Sequence, residues 1–267
     1  MRNLIRGLRR KLSVRIPTLR KSLKRMVKRI LPKAVLIARE HRLAVRMDRE
    51  FNKLSVKAAF TKIYSEMLWG RSSDDRDSFS SGSGSRESNI VAPYIGAVES
   101  FILSLDKRPD VVDLGCGDFY VGSKVRHLCQ NYIACDIVDS LIARNRANYG
   151  DLGVDFRVLD ITSDELPGGD IVFVRQVLQH LSNELILRVI PRIQSKFQYL
   201  LLTEHLPSSK SFEPNTDKPT GPDVRLKYDS GIVLTSPPFN MHAKRDVVLC
   251  QLVVSGTVIQ TRLYQFF

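Results

Sequence analysis

The first 39 residues contain no aspartate or glutamate; Glu40 is the first acid. Residues 1–50 hold 17 Lys and Arg against 3 Asp and Glu, whereas the remaining 217 residues hold 24 against 25. The net charge of +13 therefore belongs to the N-terminal segment. The body is neutral, so the overall charge says nothing about its substrate. Cysteine is scarce. Cys116, Cys129, Cys135 and Cys250 form no C-x-x-C pair and stand at no zinc spacing from a histidine, so no metal site is expected. Four reduced thiols and a cytoplasmic location are expected instead. No apolar run approaches the roughly 18 residues of a membrane span. The N-terminus also lacks the compact apolar stretch of a secretory signal.

What is present is a chain of 267 residues, 43% hydrophobic, enough for one domain with a core plus an extra segment. Leu4, Leu8, Leu12, Ile16, Leu19, Leu23, Val27 and Ile30 recur every three or four residues among Arg and Lys. They form one apolar stripe on a basic helix, kinked at Pro17. Such a leader, residues 1–50, suits an anionic membrane surface or a partner protein through residues 1–33; on the first of these readings the protein would be peripheral at a membrane. Packing on the body or on a second copy, transit-peptide use and nucleic-acid contact are the other readings. Residues 51–90 read as a helical cap that runs into "RSSDDRDSFSSGSGSRESN", either a flexible linker or a lid over ligand.

From residue 91 strands and helices alternate. A helix over 91–105 precedes the strand "VVDLG", a helical stretch over 121–130 precedes "YIACD", and a helix over 138–149 precedes "VDFRVLD". "DIVFVR" is followed by a helix over 176–193 and by "FQYLLLTEH". "GIVLTS", "DVVLCQLVVSG" and "TVIQTRLYQFF" then read as strands in succession, with a tight turn at "SG", 255–256. Parallel strands covered by helices, closed by a hairpin, predict an α/β fold: a doubly wound, mixed, seven-stranded sheet over 91–267, with an N-terminal helical extension.

The glycines of "VVDLGCGDFYVG" sit where such sheets bind ligands. A dinucleotide fingerprint needs glycine where Tyr120 stands, and the P-loop G-K-[ST] is absent. Asp113 and Asp118 at the turn would repel a diphosphate. They would favour a ligand with positive charge and no phosphate, such as S-adenosylmethionine, with its sulfonium and ammonium. Asp136 ends the second strand, placed to accept from ribose hydroxyls, and Asp160 ends the third, where an adenine amino group would lie.

"VVDLGCGDF", "YIACDIVDSLIARN", "VDFRVLDIT", "DIVFVRQVLQHL" and "YLLLTEH" resemble the successive motifs of class I S-adenosylmethionine-dependent methyltransferases over roughly residues 108–205. The resemblance implies that Asp113, Gly115 and Gly117 line the methionine end of the cofactor, and Asp118 joins them as a cofactor-binding candidate by its charge. Asp136 and Ile137 would hold ribose and adenine, and Asp160 and Ile161 would border the adenine. Where the family often has a third glycine, this chain has Phe119. "LWG" followed by "SGSGS" is similar to small bacterial methyltransferases of sugar and cell-surface glycan pathways.

Arg175 and Gln176, at the end of the fourth strand, are expected beside the cofactor's transferring methyl. His180, one turn further along the expected helix, is the first candidate general base, and Glu204 and His205 at the fifth strand's end are the others. The loop "PNTDKPTGPDVR" reads as a mobile surface loop; the alternative is that Asn215, Asp217 and Arg225 hold a polyhydroxyl substrate, or its acids a metal. "SPPF", 236–239, is similar to the signature of methyltransferases of nucleobase and glutamine amino groups. That signature follows the fourth strand, a place taken here by "RQVLQ", so a rigid turn is expected. The overall expectation is methylation of a small polar acceptor, on oxygen of a sugar or glycan precursor. The alternatives are an RNA methyltransferase gripping through its leader, and a non-catalytic, membrane-tethered cofactor-binding module.

Overall fold

The computed structural model describes residues 33–70, 81–82, 85–209 and 211–267. The leader's stripe over 1–32 and most of the Ser/Gly-rich stretch lie outside them. Two units divide the chain, Met1–Glu50 and Phe51–Phe267. In the first, the described residues belong to α1 (Lys33–Phe51). No described helix is long and apolar enough to cross a membrane.

The second unit begins with α2 (Val56–Ser65), whose first turn is capped by Ser55, the side chain accepting from the Ala58 N–H. Then come α3 (Ser88–Leu103), β1 (Val111–Leu114), α4 (Tyr120–Val125), β2 (Tyr132–Asp136) and α5 (Asp139–Tyr149). β3 (Asp155–Val158), β4 (Ile171–Arg175), α6 (Asn183–Lys196), β5 (Tyr199–Pro207), β6 (Arg245–Val254) and β7 (Thr257–Gln265) complete it. The seven strands form one sheet in the order β3-β2-β1-β4-β5-β7-β6. β1 to β5 run parallel, and β7 and β6 add antiparallel. The order reverses direction between β1 and β4, which opens a crevice at their carboxyl ends.

Burial explains the strand compositions. β1 is buried at every position and β4 at all but Arg175, as a central parallel strand with both faces covered requires. Edge strand β3 instead exposes Asp155 and Arg157, paired at 2.5 Å, and charge on an edge opposes pairing with another chain. The β6–β7 turn is two residues long, Ser255 at φ 49° and Gly256 at φ 79°. Two positive φ values match the right-handed twist of the flanking strands.

Two expected elements differ. "GIVLTS" is not a strand. Its groups pair with a side chain and with loops: Val233 N–H donates to Asn215 Oδ1, and Leu234 O accepts from Met241 N–H. Ile232 and Leu234 are buried all the same, so the apolar run marks burial without a ladder. The expected helix over 176–193 starts only at Asn183. Gln176 takes a left-handed φ of 56° that ends regular structure, and a single 3-10 turn, Leu178–His180, intervenes.

Phe119 stands where the resemblance led to a glycine, and it keeps a glycine-like backbone at φ 59°, ψ 9°. A left-handed residue with a Cβ costs about 1–2 kcal/mol. The ring is fully buried and meets Tyr132, Tyr149 and Phe156 edge-on, with centroids 5.5, 5.3 and 4.9 Å away. Burial of such a ring contributes about 1.5–3 kcal/mol and each aromatic pair roughly 0.5–1.5 more, so packing outweighs strain. Phe119→Ala should lose about 3–5 kcal/mol of stability, read from urea unfolding midpoints; a loss below about 1 kcal/mol would mean the ring packs loosely.

Candidate active site

A cavity of about 460 Å³ opens at the carboxyl ends of β1, β2, β4 and β5. Its floor is the turn from β1 into α4, where every N–H from Gly115 to Tyr120 is already used. Gly115 and Cys116 both donate to Cys135 O, Gly117 to Asp136 Oδ2, Asp118 to Ser81 Oγ, Phe119 to Cys116 O and Tyr120 to Asp118 Oδ1. A phosphate is held at such a turn by free N–H groups, and none of these six is free. Their engagement disfavours phosphate alongside the charge of the acids. Close approach is also built in. At Gly115, φ 78°, an added Cβ would sit 2.4 Å from Val177 Cγ2, and at Gly117, φ 56°, 2.5 Å from Ser81 Oγ.

The acids are less exposed than the sequence implies. Asp118 is paired with Arg86, Nε to Oδ2 at 2.9 Å. Asp113 accepts from the buried Tyr132 hydroxyl at 3.0 Å, and burial pushes its carboxyl up to about 7. Asp136 accepts from the Gly117 N–H at 3.1 Å and the Val138 N–H at 3.2 Å. Burial still pushes it up to about 6, against those hydrogen bonds. Asp160 turns inward on its own loop, accepting from Thr162 N and Oγ1. Ile137 and Ile161 add apolar lining beside it.

Across the switch point, the Arg175 guanidinium lies 5.3 Å from the centroid of the Tyr94 ring, and its buried Nε has no partner. Gln176, strained at φ 56°, and His180 also line the cavity. His180 does not sit one helical turn from Gln176; the 3-10 turn carries it. Its ring packs against Trp69 with centroids 4.7 Å apart and planes tilted by 42°, and burial, with Lys218 nearby, pushes it down to about 3.

His205 lines the cavity from β5, its Nε2 2.6 Å from Thr257 Oγ1. That hydroxyl donates its one proton to Val254 O at 2.7 Å, so it must accept from His205 Nε2–H. The tautomer is therefore set, with the Nδ1 lone pair left over. Burial lowers the affinity of this ring for a second proton.

Glu204 is not part of the lining. Its side chain is buried behind the site, Oε1 accepting from the Leu178 N–H, and burial pushes it up to about 8 against the pull of Arg225. Nor does the 214–225 loop offer Asn215, Asp217 or Arg225 to a ligand. Asn215 Nδ2 donates to the carbonyls of Val233, Ser236 and Pro237. It thereby holds "SPPF" as a turn that takes no part in the cavity wall. Asp217 accepts from the Asn183 N–H. Arg225 is 1% exposed, with its donors on backbone carbonyls and Asn183.

The sequence did not single out Phe60, Tyr64, Ser81, Tyr94 or Gln179 as lining. Trp69 was signalled only by "LWG"; its indole N–H donates to Pro222 O at 3.1 Å. Four of the six orphaned buried polar side-chain atoms among the described residues belong to Arg175, Gln179, His180 and Glu204. Unsatisfied groups are costly in a finished core, and here they gather at the ends of β4 and β5.

A methyltransferase-domain family model matches residues 112–196, the stretch that carries this floor and the strand-end acids. Residues 112–196 carry a methyltransferase domain. The cradle fits S-adenosylmethionine on the structure's own terms: glycine approach, no free N–H from Gly115 to Tyr120, and carboxyls at the ends of β1 and β2. Solved structures similar to this chain include the following three. One is an S-adenosylmethionine-dependent methyltransferase from Mesorhizobium loti, at 18% identity and TM-score 0.35, covering 40% of this chain and 51% of that one. Another is the N-methyltransferase NodS from Bradyrhizobium japonicum WM9 in complex with S-adenosylhomocysteine, at 12% identity, TM-score 0.47, and 63% and 85% coverage. The third is the N-terminal domain of EvdMO1 in the presence of S-adenosylhomocysteine and D-fucose, at 14% identity, TM-score 0.48, and 69% and 84% coverage. The chain thus spans about half the length of the first and most of the other two. No curated protein sequence matches it.

Asp113 gives a testable pH dependence. Its folded pKa lies above the usual 3.8, so between about pH 4 and 7 the folded chain holds a proton that the unfolded chain has lost. Stability from this group therefore rises as pH falls through that window. Urea unfolding at about pH 8 and pH 5 should show the wild type gaining stability over Asp113→Asn at the lower pH. An unchanged difference would mean the carboxyl is ionised throughout.

Proposed function

We propose that this methyltransferase acts on a small, uncharged polar acceptor, by O-methylation of a sugar or glycan precursor. The observation that carries this reading is the division of the cavity. Carboxyls and Arg175 cluster at the ends of β1 to β4. The β5 side is lined by Trp69, Gln179, His180, His205, Pro222, Val224, Ser255 and Ile259. Among the described residues that side has no Lys, Arg, Asp or Glu, so nothing there would neutralise a phosphodiester. Trp69 offers an apolar ring, and Gln179, Ser255 and the histidines offer hydrogen bonds, the combination a polyhydroxyl ring with an apolar face requires.

Asp136 would hold the cofactor's ribose, Ile137, Asp160 and Ile161 its adenine, and Asp113, Gly115, Gly117 and Asp118 its methionine end. Arg175, with an unpartnered Nε, would take its carboxylate beside Gln176. When bound, the cofactor supplies an electrophilic methyl group. The chain's part is alignment and removal of the acceptor proton. His205 Nδ1 is the base this reading favours, because its lone pair is left free by the tautomer. His180, pushed down to about 3, holds a proton too weakly to compete and serves as a hydrogen-bonding wall.

Two measurements test this reading. Calorimetric titration with S-adenosylhomocysteine should show binding to the wild type and a loss of roughly tenfold or more for Asp136→Ala, which removes a charged hydrogen-bonding group. Labelled S-adenosylmethionine with panels of sugars, glycan precursors and RNA should label a neutral hydroxylated acceptor. Transfer to RNA alone would overturn the small-acceptor assignment, and binding without transfer to any acceptor would point to a non-catalytic module.

A further inference from the structure

The turn that carries Gln179 and His180 has no regular ladder to hold it, yet most of its backbone groups are paired. Leu178 N–H donates to Glu204 Oε1 at 3.2 Å. On the carbonyl side, Arg225 Nη1 donates to Leu178 O and Gln179 O, both at 3.2 Å, and Nη2 to Leu181 O at 2.8 Å. The same Nη2 reaches Asn183 Oδ1 at 2.7 Å, and Nε donates to Thr216 O at 3.1 Å. His180 O accepts from Gly221 N–H at 3.0 Å and Lys218 Nζ at 3.3 Å. A guanidinium has five N–H donors in a rigid plane, and here they span one turn, the first residue of α6 and the loop behind them.

We propose that Arg225 and Glu204 are positioning residues that clamp the Leu178–Leu181 turn from its carbonyl and amide sides. The clamp fixes Gln179 and His180 against Trp69 at the acceptor end of the cavity. Neither residue touches a ligand; each acts through the turn. This rests on the methyltransferase reading for its purpose, but the clamp itself is a statement about the chain alone. The burial of Arg225 has a physical reason on this view. A buried cation is tolerated only when its donors are met, and a turn with three outward carbonyls meets them.

Trp69 is the sole tryptophan of the chain and packs against His180, so it reports the turn's position without any acceptor being known. In the full-length protein, Arg225→Lys keeps the charge but cannot span the five acceptors. It should red-shift Trp69 emission and abolish its near-ultraviolet circular dichroism band, with far-ultraviolet spectrum and S-adenosylhomocysteine affinity retained. Glu204→Leu, which removes the acceptor for the Leu178 N–H, should change Trp69 in the same direction. Wild-type Trp69 spectra in either variant, once folded, would overturn the clamp. Hydrogen exchange on the wild type decides the matter if both variants fail to fold. Amides from Leu178 to Asn183 should exchange as slowly as those of β4, and exchange at loop rates would overturn the proposal. Absence of S-adenosylhomocysteine binding by the wild type would instead refute the functional reading and leave the clamp standing.

Discussion

The Asp136 carboxyl ties the cavity together. One oxygen accepts the Gly117 N–H from the turn after β1, and the other accepts the Val138 N–H from the turn after β2. Two crossovers are thereby joined at one buried group. The link demands a left-handed Gly117 and leaves no room for a Cβ, because Ser81 Oγ occupies that space. Ser81 in turn receives the Asp118 N–H and meets the Tyr64 hydroxyl at 3.4 Å. The glycine turn, α2 and the fragment at Ser81 therefore meet around one atom. A larger residue at 117 would disturb all three.

Charge at this floor is managed by pairing and burial, which changes the meaning of its acids. In sequence, Asp113 and Asp118 look like two free negative charges. In the structure one is matched by Arg86, and the other sits against Tyr132 with its proton affinity raised. The field at the turn is weaker than two free carboxylates would give. Selectivity against phosphate then comes also from the backbone, whose N–H groups from Gly115 to Tyr120 are engaged. The two effects act in the same direction, but the second does not depend on ionic strength.

The sheet and its ligand edge were legible because they depend on local pattern. Buried parallel strands are written as Val, Ile and Leu runs, and Asp113, Asp136 and Asp160 mark their carboxyl ends. The hairpin at Ser255–Gly256 was legible for the same reason. "GIVLTS" misled because an apolar run encodes burial, and Asn215, 18 residues away, supplies the hydrogen bonds that a neighbouring strand would have supplied. Gln176 misled because a positive φ at a non-glycine residue has no sequence signal; tertiary contacts, including its N–H bond to Thr203 O, hold it there. Arg225 and Glu204 look like surface or catalytic charges in a list of residues. Only their long-range partners show them to be internal supports.

A doubly wound sheet separates the two tasks of a group-transfer enzyme across one line. β3, β2 and β1 lie on one side of the switch point and carry the turns and acids suited to a charged cofactor. β4, β5 and β7 lie on the other: β4 ends at Arg175 and Gln176, and His205 of β5 and Ile259 of β7 line the cavity beyond them. The first side is held by bonds from the turn to Cys135 O, the Asp136 carboxyl and Ser81 Oγ. The second side is irregular, because β4 ends in a strained residue and a single 3-10 turn. Two buried ionisable groups stand behind that irregularity, Glu204 taking the Leu178 N–H and Arg225 the carbonyls of Leu178, Gln179 and Leu181.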